Sequence, residues 1–450
     1  MITSRPTVKQ RIFAMKSRLL MRADRAALRD MLAAERLEPG RARELRDRRS
    51  ARIARHAFDN FDFYRDKYGA AGFTAADLED PRNFDALPRL TKDEIADYAA
   101  SVDGTARDRL PSRTGGSTGR PLLVYNDRQA PVAALWWRIY SWWGVHPGDD
   151  AAFIYRQSRT GAKRLLYDLE WWPTRHLLLD ARGTTPEARE RFVRQVRRTR
   201  PALLVGYVEA AYDFAASIAP SEPLRGLTAV SVTASMLQAG QREFIESRLG
   251  APVFDTYRSA EVPWIAAECA AQDGLHVLSD RRRVDIVGAG DRMLAPGQVG
   301  DVLVTDLDNR AFPLVRYAIG DRSSVIEGAC ACGRSLDRIT ALDGRIADVL
   351  RSPSGLVVSG GLGGIFNQWS RTVTSFQIRQ GNDYHVDLLY VSRPGEDGAE
   401  AASTVARMLE GFLGNEVPVT PVAVESIEAV GGKARLVISD VEPPPAAKRR

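Results

Sequence analysis

The sequence predicts an α/β protein, with a large multi-layer α/β domain followed by a small α+β domain. Three observations lead there. Between Leu110 and about residue 342, short apolar runs alternate with longer amphipathic ones, as strand–helix pairs in a largely parallel sheet do. At 450 residues the chain is too long for one compact core, so two domains are expected. After Gly344 the pattern changes to clustered glycines, then strands around a single helix. The expected large domain is 1–343, its first 105 residues mainly helical; 344–442 form a small mobile domain and 443–450 a disordered tail.

The elements follow in order. In the first 105 residues apolar side chains recur at three and four (Leu28, Met31, Leu32; Ile53, Phe58), the helical period. The start, Met1 to Arg25, is basic and mildly amphipathic through Ile12, Phe13, Leu19 and Leu20. It lacks the continuous apolar region and cleavage site of a secretory signal. It reads as a docked N-terminal helix, the other reading being a membrane-surface helix. Ala202–Gly206 reads as a strand followed by a helix from Val208 to Ala219. Thr228–Thr233 is followed in the same way by a helix from Gln238 to Leu249, and Gly300–Asp306 alternates like a half-buried strand. Later strands are expected at Ser375–Gln380, Tyr384–Val391 and Arg435–Ser439, with a helix near Ala402–Leu413.

Composition narrows the class. Apolar content of 44% and charged content of 27% suit an ordinary globular protein. No apolar run approaches the roughly 18 residues of a membrane span, so no span is expected and the location is read as cytoplasmic. The net charge of +6 is spread along the chain. Its densest basic stretch, Arg189 to Arg200, is interleaved with Glu190, Phe192, Val193 and Val196. That is a solvated helix face rather than a nucleic-acid groove, and no nucleic-acid partner is expected. Trp136, Trp137, Trp142 and Trp143 share one helical segment, as core or as the wall of a pocket for a flat acid.

The run Ser112-Arg113-Thr114-Gly115-Gly116-Ser117-Thr118-Gly119-Arg120-Pro121 is the most informative stretch. Glycines let backbone N–H groups converge and the hydroxyls add donors, which suits a loop wrapping a polyphosphate. It is not the GxxxxGK[ST] loop of nucleotide hydrolases, and the same pattern also fits a surface loop. The cysteines carry a separate signal. Cys269 and His276 lie seven residues apart, and Cys330 and Cys332 follow about fifty residues on. Three thiolates and one imidazole complete a tetrahedral, closed and therefore structural Zn²⁺ site. The alternative is three reduced, buried thiols.

Further segments appear in a fixed order: Asp255-Thr256-Tyr257-Arg258-Ser259-Ala260-Glu261, Arg316-Tyr317-Ala318-Ile319-Gly320-Asp321, Gly344-Arg345-Ile346-Ala347-Asp348 and Gly431-Gly432-Lys433. With Phe63-Tyr64-Arg65, Leu87-Pro88-Arg89-Leu90-Thr91-Lys92 and Cys330-Ala331-Cys332-Gly333-Arg334, the set resembles the adenylate-forming enzymes, and within them the phenylacetate–coenzyme A ligase-like branch. The resemblance covers most of the chain.

The resemblance implies an AMP-forming carboxylate ligase that uses ATP and Mg²⁺. Thr114, Gly116, Ser117, Thr118 and Gly119 would hold phosphate, Tyr257 would lie against adenine, and Arg258 and Ser259 would sit beside it. Glu261 would associate with Mg²⁺ and Asp321 would accept from the ribose hydroxyls, as an ionised carboxylate suits a diol. Arg345 would stand near ribose and phosphate at the joint between domains. Lys433 would be the catalytic lysine, its alternative being a surface hairpin lysine. Gly206 and Tyr207, with Thr233, Ala234 and Ser235, would line the acid pocket. The partners implied are a small carboxylic acid and an acceptor: coenzyme A by default, or an amine or carrier protein in a biosynthetic enzyme. This sequence departs from the pattern at three places. Arg258 stands where glycine follows the tyrosine, Ala347 replaces a polar hinge residue, and Thr233-Ala234-Ser235-Met236 alters a Ser-Gly-Glu-like turn. Those departures motivate a rival reading as a non-catalytic nucleotide-binding protein.

Overall fold

A computed structural model describes residues 5–113, 122–155, 159–181, 186–342, 349–354, 356–359, 362, 365–428 and 435–441. The chain begins with five helices: α1 (Val8–Leu20), α2 (Arg22–Ala34), α3 (Pro39–Asn60), α4 (Asp62–Ala70) and α5 (Lys92–Ser101). Thr7 and Gln10 close a reciprocal capping box at the start of α1. That helix docks on the body: Phe13 is buried, and Lys16 Nζ donates to the carbonyls of Leu169, Glu170 and Trp172 at 2.6–2.9 Å.

The strand–helix alternation then begins. A hairpin of β1 (Arg109–Arg113) and β2 (Leu123–Asp127) leads to α6 (Val132–Trp142). Next come β3 (Ala151–Tyr155), α7 (Gly161–Trp171), β4 (His176–Asp180), α8 (Pro186–Thr199), β5 (Leu203–Tyr207), α9 (Val208–Ala216), β6 (Ala229–Thr233), α10 (Ala239–Leu249) and β7 (Val253–Tyr257). Short strands follow: β8 (Ala266–Glu268), β9 (Leu275–Val277), β10 (Arg282–Val287), β11 (Gly300–Asp306), β12 (Tyr317–Ser323), β13 (Val325–Ile326) and β14 (Arg338–Ile339).

The main sheet has nine strands in the order β13-β14-β9-β8-β7-β6-β5-β3-β4. Only the run β4-β3-β5-β6-β7 is parallel; the expectation of a largely parallel sheet holds for that half alone. Beyond β7 the connections to β8 and from β8 to β9 are short, and such turns return a strand antiparallel because a parallel neighbour needs a long crossover. Helices cover both faces of the parallel half. Leu203 and Val205 pack toward Leu135, Ile139 and Trp143, while Leu204, Val230 and Val232 pack toward Phe214, Ile245 and Leu249. Trp137, Trp142 and Trp143 are buried, and Trp143 stacks on Phe254 at 4.8 Å. These tryptophans belong to the core. The basic helix α8 turns Phe192 and Val196 inward and pairs Arg197 with Glu222 at its surface.

A three-stranded sheet, β10-β11-β12, packs with the early helices through Tyr64, Tyr98 and Phe312. The late residues form β15 (Val349–Arg351), β16 (Val357–Ser359), β17 (Val373–Gln380), β18 (Val386–Ser392), α11 (Ala399–Phe412), β19 (Val419–Ala423) and β20 (Val437–Ser439). Here a four-stranded sheet, β19-β18-β17-β20, encloses a core of its own with Phe376, Ile378, Leu388, Val405 and Leu409.

The N-terminus of α10 joins the two bodies. Phe376 N–H donates to Gln238 Oε1 at 3.0 Å, and Gln238 Nε2 donates back to the Phe376 carbonyl at 3.1 Å. The side-chain amide thus pairs with β17 much as a strand residue would. Glu243 accepts from Arg393 at 2.9 Å and from Ser370 Oγ at 3.0 Å. Gly240 is needed for this approach, because a Cβ there would lie 2.7 Å from Thr374 Cα.

Candidate active site and cysteine–histidine cluster

The parallel strands end together at Tyr155, Asp180, Tyr207, Thr233 and Tyr257. From β3 the chain moves outward to β4, then returns to β5 and continues through β6 and β7. The order therefore reverses between β3 and β5, where α/β sheets open a crevice. Tyr155 and Tyr207 stand at that reversal with ring centroids 5.2 Å apart.

On one side of the crevice, long-range pairing assembles two carboxylates. The buried Tyr257 donates its hydroxyl to Asp321 Oδ2 at 2.8 Å. Tyr317 donates to Glu261 Oε1 at 3.2 Å. Asp321 and Glu261 are both buried, each held by a phenol from the segment that carries the other. Ser259 Oγ accepts from Val262 N–H at 2.9 Å and shapes the turn that presents Glu261. Ser112 Oγ donates to the Ala260 carbonyl at 3.1 Å, so the glycine- and hydroxyl-rich run is rooted beside that turn.

On the other side, Arg258 departs from Tyr257. Its guanidinium lies 4.8 Å from the ring centroid of Tyr155 and 4.8 Å from that of Trp264, and it donates to the Tyr155 hydroxyl. Thr233 is buried, and its Oγ1 has no hydrogen-bond partner among the described residues. Ala234 holds φ at +80°, a left-handed conformation that favours glycine and that proteins retain chiefly at functional sites. Ser235 and Met236 line a crevice with Glu209 and Gln238, opposite Ile427 and Arg435. Glu209 is hemmed in by this interface, and the desolvation pushes it up to about 7 although Gln241 donates to it at 2.9 Å. Sequence reasoning missed Glu209, Tyr155 and Trp264. One of two acids, with Asp213, in the otherwise apolar helix Val208–Ala216, Glu209 carried only a weak sequence signal; nothing local marked the two aromatics.

Thr114, Gly116, Ser117, Thr118, Gly119, Arg345 and Lys433 lie outside the described residues. The described flanks Ile427 and Arg435 of the Lys433 segment face Ser235.

The cysteine–histidine cluster forms at the antiparallel flank. Arg338 in β14 pairs with His276 in β9, bringing the Cys330–Cys332 turn against β9 and the end of β8. One ligand atom each from Cys269, His276, Cys330 and Cys332 lies within 4.8 Å of all the others. Cys269 Sγ is 3.7 Å from Cys330 Sγ, and Cys332 Sγ is 3.3 Å from His276 Nε2. Burial pushes Cys269 up to about 12 and His276 down to about 4. A neutral imidazole is the form that ligates, and this donor set fits a tetrahedral cation. Behind it Arg138, fully buried, donates to Glu35 Oε2 at 2.9 Å and to Asp280 Oδ1 at 2.5 Å. Trp142 Nε1 donates to the same Glu35 oxygen at 3.0 Å.

No family model matches the chain. It is 28% identical over 314 residues to the phenylacetate-coenzyme A ligase of Escherichia coli (strain K12), covering 66% of this chain and 69% of that protein. Its identity to the phenylacetate-coenzyme A ligase of Thermus thermophilus is 24% over 338 residues, 70% of this chain and 73% of that one. Among solved structures it is similar to a 2-hydroxyisobutyryl-CoA ligase in a postadenylation state, bound to R3-HIB-AMP. The TM-score is 0.73 at 22% identity, over 90% of this chain and 91% of that one. The chain has the adenylate-forming fold, and its sequence is similar to those of phenylacetate-coenzyme A ligases.

Against the same ligase in its thioesterification state the TM-score is 0.61. Of the three departures from the branch pattern, two are structurally explained. Arg258 finds room by turning away from Tyr257 to the aromatic pair, and Ala234 keeps the backbone conformation expected of the glycine it replaces.

Proposed function

We propose that this protein is an AMP-forming carboxylate ligase with coenzyme A as its default acceptor. The observation that carries the reading is the junction of Tyr257 with Asp321 and of Tyr317 with Glu261 beside the root of the glycine–hydroxyl loop. Similarity to two phenylacetate-coenzyme A ligases supports it.

In this reading a carboxylate attacks the α-phosphate of ATP, pyrophosphate leaves, and a thiol then attacks the acyl carbon of the adenylate. Two anions must meet, so the site has to neutralise charge where it develops. The run 114–119 would donate to the phosphates. Asp321, oriented by the Tyr257 hydroxyl, would accept from the ribose diol. Glu261, oriented by Tyr317 and without an ion pair among the described residues, would hold Mg²⁺, whose chemistry is to neutralise phosphate charge. Lys433 would bring an ammonium to the acyl and phosphate oxygens, and Arg345 would stand at the joint. The small unit, bounded near residue 344, would carry Lys433 in and swing away for thioester formation, releasing the contact of Gln238 with Phe376. The four-residue cluster would hold Zn²⁺ as a structural ion.

Arg258 and Ala347 were the best support for a non-catalytic reading, and Ala347 lies outside the described residues. The Arg258 guanidinium sits with Tyr155 and Trp264 rather than beside the Tyr257 hydroxyl, which weakens the first of these supports. The test is pyrophosphate release from ATP and Mg²⁺ across a panel of carboxylic acids, with hydroxylamine as trap. Acid-dependent release is expected, reduced at least about 100-fold in Lys433→Ala. Silence across the panel with ATP bound would overturn the reading, and unchanged turnover in Lys433→Ala would remove that lysine's role. Replacing hydroxylamine with coenzyme A or an amine then assigns the acceptor.

A further inference from the structure

Arg258 is half-buried, and among the described residues it has no carboxylate within ion-pair reach. Taking a guanidinium out of water without a counter-charge is unfavourable. Its Cζ lies 4.8 Å from the ring centroids of both Tyr155 and Trp264, within the range of a cation–π contact. Of the five N–H donors a guanidinium carries, one is used among the described residues, on the Tyr155 hydroxyl. The other donors have no hydrogen-bond partner among the described residues, and a guanidinium fork with spare donors is the group that receives an anion in bidentate fashion.

The location says which anion. Strands β3 and β7 stand three places apart in the sheet, so in reaching Tyr155 the guanidinium spans the ends of β5 and β6 at about 5 Å per strand. It thereby comes to the reversal point between β3 and β5, beside Tyr207, where the crevice of such a sheet lies. Tyr257, its immediate neighbour, projects the other way to Asp321. Consecutive residues thus divide the site into a ribose side and an aromatic side, and Arg258 belongs to the second.

We infer that Arg258 is a specificity-determining residue of the acid pocket, and that the acid activated here carries a second anionic group besides the reacting carboxylate. That group pairs with the free edge of the guanidinium while Tyr155, Tyr207 and Trp264 enclose the body of the acid. The inference rests on the ligase reading above and names its substrate class.

The experiment uses the full-length protein and matched acids differing in one distal carboxylate: phenylacetate against 4-carboxyphenylacetate, and hexanoate against adipate. Acid-dependent pyrophosphate release is measured for the native protein, Arg258→Met and Arg258→Lys, with thermal melting as a control for folding. The native protein should favour the dianionic member by tenfold or more in kcat/KM. Arg258→Met should abolish that preference through KM for the acid, with KM for ATP moving less than twofold, and Arg258→Lys should restore part of it. Equal use of both members overturns the inference, as does a rise confined to KM for ATP, which would make Arg258 a nucleotide-phosphate contact. Quenching of tryptophan fluorescence, through Trp264, reads acid binding without turnover. If no acid releases pyrophosphate, the ligase reading fails, and the binding arm still decides. Saturable, Arg258-dependent binding of the dianion alone supports the inference, and indifferent binding ends it.

Discussion

Arg138 and Arg258 are both withdrawn from bulk water, and the protein treats them differently. Arg138 is fully buried between two carboxylates, Glu35 and Asp280. Arg258 is half-buried beside two aromatic rings, with no carboxylate among the described residues. The first arginine brings its counter-charges with it and ties the helix α2 to the cysteine–histidine flank. The second leaves its counter-charge to be supplied. The contrast separates an arginine that holds a fold together from one poised to receive a ligand.

Experiments can break or sharpen that contrast, and the largest effect is expected at the cluster itself. Purified protein should contain about one zinc per chain by elemental analysis. Cys330→Ser should lose it together with about 5 kcal/mol or more of stability by denaturant melting, because metal binding free energy becomes folding free energy. A metal-free preparation of full native stability would return these residues to ordinary buried thiols. Arg138→Met should cost roughly 3 kcal/mol, since it leaves the buried Glu35 and Asp280 only their longer ion pairs, with Arg334 at 3.4 Å and Arg281 at 3.6 Å. Arg258→Met, measured alongside, should shift stability by only about 1 kcal/mol. Equal losses at both positions would erase the distinction drawn here.

A smaller effect concerns the interface between the two bodies. Glu209 is raised from 4.5 to about 7 by burial. A carboxyl with a raised folded value contributes its stability below the unfolded value and loses it as pH rises through the folded one. Between pH 4.5 and about 7 the native protein should therefore lose stability relative to Glu209→Gln. The loss should be roughly 2 kcal/mol, less than the full shift implies because the side chain keeps an edge on the crevice. Parallel pH curves for the two proteins would show that Glu209 is solvated. The smallest change is expected from Ala234→Gly. Relief of the left-handed backbone, offset by the entropy of glycine, should leave the protein about 0.5–1 kcal/mol more stable.

Much of this molecule was legible in the order of its residues. The alternation of apolar runs with helical periods placed β5, α9, β6 and α10 within a few residues, because strand and helix periods are local properties of the chain. The spacing of Cys269, His276, Cys330 and Cys332 announced a cluster, since few other constellations use three thiols and an imidazole. Pairing direction was less visible. Strands β8 and β9 turned antiparallel through short loops, and no apolar run records which way its neighbour travels.

Residue pattern alone settled the layered α/β character; Cys269, His276, Cys330 and Cys332 stood as one of two readings of the cysteines, and Glu261 and Asp321 were singled out by the resemblance. Only the tertiary structure decided that Tyr257 would hold Asp321, that Tyr317 would hold Glu261, and that Glu209 would be enclosed by a second sheet. It alone turned Arg258 from a misfit in a motif into a cation framed by Tyr155 and Trp264. Tyr155 lies about a hundred residues earlier in the chain, and a sheet that reverses its strand order brings such distant side chains to one crevice. Contacts of that kind depend on how whole elements pack, and no local pattern encodes them.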